Sequence, residues 1–163
     1  DFQGSRGLGD VYKRQVPEGI LHRCRLDLSR ETVKTERISE RTCEFAMVNP
    51  DRQGLSAQYA WMAVAERETG NDPLQAIQKL DLKSGTTHTW SAAPRGFVSE
   101  PLMVRRPGAE AEDDGWVLDL VWNGARQASD LVILDAHDLS EVALLELPLP
   151  VPHGLHGSWA PTH

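Results

Sequence analysis

Residues 133–147 read ILDAHDLSEVALLEL, and the same plan occurs twice earlier, as RLDLSRETVKTERI at 25–38 and KLDLKSGTTHTW at 79–90. Each copy has an apolar residue, an aspartate, a small or apolar residue, a polar turn, and then a second β-patterned stretch. The aspartates are Asp27, Asp81 and Asp135, evenly spaced along the chain. A period of about 50 residues made of short antiparallel strands is the mark of propeller blades. An aspartate at a strand end caps the following turn by accepting backbone N–H bonds. A β-sandwich with accidental spacing is the alternative for the repeat taken alone.

The flanking sequence is also β-patterned. ILHRCRLDL (20–28) alternates apolar and polar residues, as a half-buried strand does. TVKTERIS, CEFAMVN, QYAWMAVAE, AIQKLDL, THTWS, SEPLMVRR, WVLDLVWNG, SDLVILDA and VALLELP follow, giving about ten predicted strands and no segment with helical periodicity. Ser84-Gly85 and Asp114-Gly115 are predicted hairpin turns. The whole is predicted to be all-β, with roughly two and a half blades.

Composition sets outer limits. The 163 residues are 40% hydrophobic and 25% charged, enough for one domain with a sizeable core. No apolar run approaches the roughly 20 residues that span a bilayer. A net charge of −7 argues against non-specific nucleic-acid binding, which needs clustered Lys and Arg. Cys24 and Cys43 form neither a disulfide framework nor a zinc ribbon and are expected to be small, partly buried thiols.

The opening stretch 1–15, DFQGSRGLGDVYKRQ, has no usable period. Asp10–Gln15 resembles the in-frame translation of a transposon-end sequencing adapter. Residues 1–15 are therefore expected to be a non-native scar, and 16–163 the C-terminal portion of a longer β-propeller domain. On that expectation the residues do not specify a compartment, and the cytoplasm is the default.

Three places could carry chemistry. VPHGLHGSWAP at 151–161 holds His153 and His156 in a stretch too rich in Gly and Pro for a helix. Gly154 and Gly157 are expected to allow close backbone approach around His156. An isolated H-x-x-H is a weak metal signal, since zinc sites need three or four ligands. Glu44, in RTCEFAMVNP, and Glu100, in GFVSEPLMV, interrupt apolar β segments. A carboxylate there either faces water at a strand edge or accepts the N–H of a metal-bound imidazole. His22, His88 and His137 are expected to be exposed.

Taken in order, CEFAMVNPDRQGLSAQYAW, GFVSEPLMVRRPGAEAEDDGWVL and SDLVILDAHDLSEVALLELPLPVPHGLHGSW resemble three segments of the carotenoid cleavage oxygenases, the retinal pigment epithelial membrane protein family, over residues 20–161. The resemblance implies a seven-bladed β-propeller with Fe(2+) on its axis, held by four histidines, three of which are oriented by glutamates that accept the N–H of the ring. His156 matches the last iron ligand, and Glu44 and Glu100 match two of the glutamates. His153 falls on a variable position. The other ligands lie upstream in the family. The implied reaction adds O2 across a C=C bond of a carotenoid, apocarotenoid or stilbene-like alkene and yields two carbonyl products. No nucleic acid is expected as a partner, and peripheral membrane contact for uptake of so apolar a substrate is implied for the full-length protein. With one ligand of four, the fragment alone is expected to be inactive. A non-catalytic propeller that has lost its iron, and a zinc hydrolase using His153 and His156, are the competing readings.

Overall fold

A computed structural model describes residues 17–68, 70 and 72–160; the 1–15 stretch lies outside them. Ten strands appear among the described residues: β1 (Ile20–Asp27), β2 (Thr32–Met47), β3 (Tyr59–Ala65), β4 (Leu74–Asp81), β5 (Thr87–Ser91), β6 (Gly96–Phe97), β7 (Leu102–Arg105), β8 (Gly115–Asn123), β9 (Ala128–Asp135) and β10 (Glu141–Glu146). All pairings are antiparallel. One sheet runs β1-β2-β3-β4-β5; the other runs β10-β9-β8, with β6 and β7 both on the far edge of β8.

Strand β2 serves two neighbours in turn. Its first half, Thr32–Arg37, pairs with β1, and Cys43–Met47 pairs with β3. The second half of β2 therefore opens one four-stranded meander, β2-β3-β4-β5, just as β7 opens the next, β7-β8-β9-β10. The two correspond in register. Met47 pairs with Trp61 in the first, and Met103 pairs with Val117 in the second. Glu44 and Glu100 precede these two methionines by the same interval, although Glu44 is paired with Ala63 within β2 and Glu100 lies just before β7. The chain is all-β and forms part of a β-propeller, with two whole blades and the β1–β2 hairpin of a third.

Burial explains the sequence patterns. YAWMAVA in β3 is apolar throughout because the first blade is covered on both sides. On one side Cys43, Met62, Val64 and Leu80 pack against Leu21 and Ile38 of the β1–β2 hairpin. On the other, Trp61, Ala63 and Ile77 join Met103, Val117, Val132 and Leu134 of the second blade in one core. Among the described residues β8 packs against the first blade on one face: Val117, Asp119 and Val121 are buried there, while Leu118 and Leu120 on the other face are not.

The three repeated aspartates cap their hairpins as expected. Asp27 Oδ1 accepts the Ser29 and Arg30 N–H groups, Asp81 Oδ1 those of Lys83 and Ser84, and Asp135 Oδ1 that of His137. At the fourth position beyond each aspartate the backbone turns left-handed, at Glu31 (φ 50°), Gly85 (φ 77°) and Leu139 (φ 62°). The Ser84-Gly85 turn is thus as predicted.

Several expectations need correction. TVKTERIS and CEFAMVN are one strand, because β2 continues unbroken between its two partners. Gly96–Phe97 is a short strand with no alternation to announce it. Gly115 is not a turn residue. It begins β8 under Val104, whose carbonyl a Cβ would strike. Of the two cysteines, Cys43 is buried but Cys24 is exposed.

Candidate metal centre

The segment Val98–Pro101 leaves the ladder between β6 and β7. Four residues there stand opposite three of β8, since Phe97 pairs with Trp122 and Leu102 with Leu118. The break frees Glu100 from regular alternation, and Pro101 after it holds it extended. Glu100 projects toward the C-terminal segment, which β10 delivers back across the blade. Val151 is fixed there by a pair of bonds with the Ser129 hydroxyl, at 2.9 and 3.2 Å.

His156 and Glu100 meet. Nδ1 of His156 lies 3.0 Å from Oε1 of Glu100, and the Gly157 N–H donates to Oε2 at 2.7 Å. A carboxylate only accepts, so the neutral ring carries its proton on Nδ1 and leaves the Nε2 lone pair free. The ring's other neighbour is Phe45, edge-on at 6.3 Å between centroids and 88° between planes. Phe45 reaches it from the inner strand of the preceding blade, at a β-bulge where its φ is 55°. The His156 side chain is 80% exposed and that of Glu100 22%. The ring is thus held from behind and presents its free nitrogen outward. The pair itself lines a cavity of about 290 Å³, with Leu102, Leu118, Leu120 and Leu131 in the same wall.

The predicted residues divide. His156 and Glu100 are brought together. Glu44 is exposed on β2, one blade earlier, beside Gly19, where an added Cβ would lie 2.8 Å from Glu44 Oε1. It does not bond His156; only its neighbour Phe45 touches the ring. His153 is exposed. Gly154 and Gly157 have open space where a Cβ would stand, and neither adopts a left-handed φ, so the expected close approach is not what these glycines provide. His137 is largely exposed as predicted, yet its Nδ1 lies 2.9 Å from Asp113 Oδ2.

Sequence reasoning missed Phe45 and Asp119. Asp119 Oδ1 accepts the Ser99 N–H at 2.9 Å, one residue before Glu100. Its signal was present: an aspartate in the middle of WVLDLVW, on the face that alternation assigns to the core.

One imidazole with Nδ1 committed to a carboxylate and Nε2 free fits a metal ligand with its orienting acceptor. Among the described residues, no group of three or more His, Cys, Asp or Glu side chains could hold a metal ion. The donors present therefore fit one position of a metal centre, not a whole one.

Comparison with known proteins identifies the family of the chain. The family described as retinal pigment epithelial membrane protein matches residues 3–161. The apocarotenoid-15,15'-oxygenase of Synechocystis is 47% identical over 146 residues, covering 88% of this chain and 30% of its own length. Resveratrol cleavage oxygenase 1 of Aspergillus fumigatus is 32% identical over 142 residues, covering 86% and 28%. The crystal structure of cobalt-substituted Synechocystis ACO superposes with a TM-score of 0.89 at 45% identity, over 92% of this chain and 32% of that one. The chain spans about 30% of the length of the curated relatives it matches. It belongs to the retinal pigment epithelial membrane protein family, the carotenoid cleavage oxygenases.

Proposed function

We propose that these residues form the C-terminal part of a non-haem Fe(II) dioxygenase that cleaves a C=C bond of a carotenoid, apocarotenoid or stilbene-like alkene to two carbonyl products. The observation that carries this is the His156 ring. Its Nδ1 is held by Glu100, its edge is backed by Phe45, and its Nε2 is left free. His156 would be one ligand of the metal. Glu44, on the inner strand of the preceding blade, would orient a histidine supplied from outside these residues. When bound, Fe(II) would activate O2 toward the double bond.

The chain's own residues contribute positioning and basicity. The Glu100 carboxylate fixes one tautomer and one ring orientation and makes Nε2 a better donor. The Gly157 N–H occupies the second Glu100 oxygen, so the carboxylate cannot rotate away from the ring. The adjoining cavity sets apolar side chains, Leu102, Leu118, Leu120 and Leu131, beside the pair.

Metal content of the full-length protein tests this. His156→Ala should lose most of its bound iron, and Glu100→Gln should weaken metal affinity by about 10- to 100-fold while retaining a site. Unaltered iron stoichiometry in purified His156→Ala protein refutes the ligand assignment. The chain by itself, offering a single imidazole, is expected to turn over no alkene, and product formation by the isolated chain would contradict that.

A further inference from the structure

Where the second blade's inner edge breaks, backbone N–H groups lose their strand partners, and the way each is re-satisfied shows what holds the segment. Val98 N–H crosses to the preceding blade and donates to the Leu74 carbonyl at 3.1 Å. Pro101 has no N–H. Ser99 N–H turns the other way and finds a side chain, Asp119 Oδ1, at 2.9 Å. Asp119 is only 2% exposed, and its Oδ2 has no hydrogen-bond partner among the described residues. A carboxyl buried in an apolar strand with one oxygen unpartnered is costly, and such a group calls for a specific reason.

We propose that Asp119 is the positioning residue for Glu100. Its Oδ1 replaces the missing strand carbonyl at Ser99 and so aims the Glu100 carboxylate at His156 Nδ1. The assignment concerns the Glu100–His156 pair itself and stands apart from the metal reading. Two features support it. Ser99 and Glu100 are adjacent, so a rotation of the Ser99 peptide displaces the Glu100 side chain directly. Burial pushes the Asp119 carboxyl up to about 7, against the pull of the Ser99 N–H, and the Glu100 charge pushes it the same way. Oδ1 accepts the Ser99 N–H whether the carboxyl is protonated or ionised, so the contact holds on both sides of that value.

The test is the tautomer of His156, read by nitrogen NMR on the histidine-labelled chain at about pH 8.5, above the range in which an ordinary imidazole titrates, with Glu100→Ala as the benchmark for a released ring. Wild type is expected to show the Nδ1–H form. Asp119→Asn keeps an oxygen acceptor and should give the wild-type pattern. Asp119→Val removes the acceptor at nearly constant volume and should shift the ring toward the Glu100→Ala pattern, with global amide dispersion unchanged. A wild-type pattern in Asp119→Val, or an Asp119→Asn pattern indistinguishable from Glu100→Ala, overturns the proposal. If Asp119→Val does not fold, hydrogen exchange of the Ser99 amide in wild type decides. Protection comparable to the β8 amides supports the assignment, and exchange at the free-peptide rate overturns it.

Discussion

Asp113 and Asp119 lie on the same blade, both buried, and their carboxyls titrate in opposite directions. Burial pushes Asp113 up, but the Lys79 ammonium at 2.5 Å and the His137 ring at 2.9 Å outweigh it and hold the carboxyl below its ordinary value of 3.8. Asp119 has burial and the Glu100 charge against ionisation and a single backbone N–H in favour, and it rises to about 7. The consequences for stability differ in sign. Asp113 contributes stability that is present above its unfolded value and is lost as pH falls through its folded value, below about pH 4. Asp119 binds its proton more tightly when folded, so stability declines as pH rises from about 4 to about 7 and then levels off. Denaturant titrations should reveal this as a gap between Asp119→Asn and wild type. The gap should be near its minimum at about pH 4 and grow to a plateau above about pH 7, by up to about 4 kcal/mol for a carboxyl raised from 3.8 to about 7. A pH-independent gap would show that the carboxyl is not held protonated by the fold.

At the scale of the element, the three aspartate-capped hairpins share one backbone and differ in how well the sequence suits it. Position four after the aspartate is left-handed in each, but only Gly85 meets that conformation without steric cost. Glu31 is exposed there, so Glu31→Gly relieves the left-handed strain and loses little else. Chemical denaturation should show a gain of about 0.5–1 kcal/mol, the strain relieved less the entropy of a new glycine. Leu139 has the same kind of φ but is 3% exposed and belongs to the core between the blades. Leu139→Gly should therefore lose about 2–4 kcal/mol, since the missing side chain outweighs the relieved backbone. The even spacing of the aspartates made these hairpins legible from sequence, because the capping chemistry is local. The unbroken run of β2 was not legible, because its continuity depends on two different strands, β1 and β3, pairing with its two halves in turn. The break at Val98–Pro101 was equally hidden, being a register shift against β8. At the site, His156, Glu44 and Glu100 stood out through family resemblance, whereas Phe45 and Asp119 act through geometry that motif matching does not carry. Composition gave no hint that Glu44 would stand apart from His156 while Glu100 bonds it.

At the scale of the whole molecule, repeated units that bury faces only against their neighbours gain cooperativity from the interfaces between them. Here the junction of the two complete blades is specified by more than apolar packing. Trp61, fully buried on β3, donates its indole N–H to the Ala136 carbonyl of the second blade at 3.1 Å. Lys79 on β4 reaches across to Asp113 Oδ2 at 2.5 Å and to the His137 carbonyl at 2.7 Å, while its ammonium lies 4.1 Å from the centre of the Tyr59 ring. Asn49 donates to the Glu112 carbonyl at 2.7 Å, and Glu112 Oε1 accepts the N–H groups of Gln58 and Tyr59. The same junction sets Phe45 of one blade against His156 of the other, so blade coupling and site geometry depend on one interface. Far-UV circular dichroism, which reports all strands, and tryptophan fluorescence, which includes Trp61 at the junction, should therefore give superimposable denaturation curves for wild type. Trp61→Ala opens a cavity at the junction and leaves the Ala136 carbonyl unpaired, at a cost of about 3–5 kcal/mol. Its loss should also separate the blades energetically. In Trp61→Ala the transition followed by circular dichroism should broaden, and the fluorescence of Trp90, on the first blade, should change at a lower denaturant concentration than that of Trp116 and Trp122 on the second, read in variants that keep one reporter at a time. Reporters on the two blades that still coincide in Trp61→Ala, at a midpoint shifted as a single unit, would show that Lys79, Glu112 and the remaining apolar contacts suffice to hold the blades together.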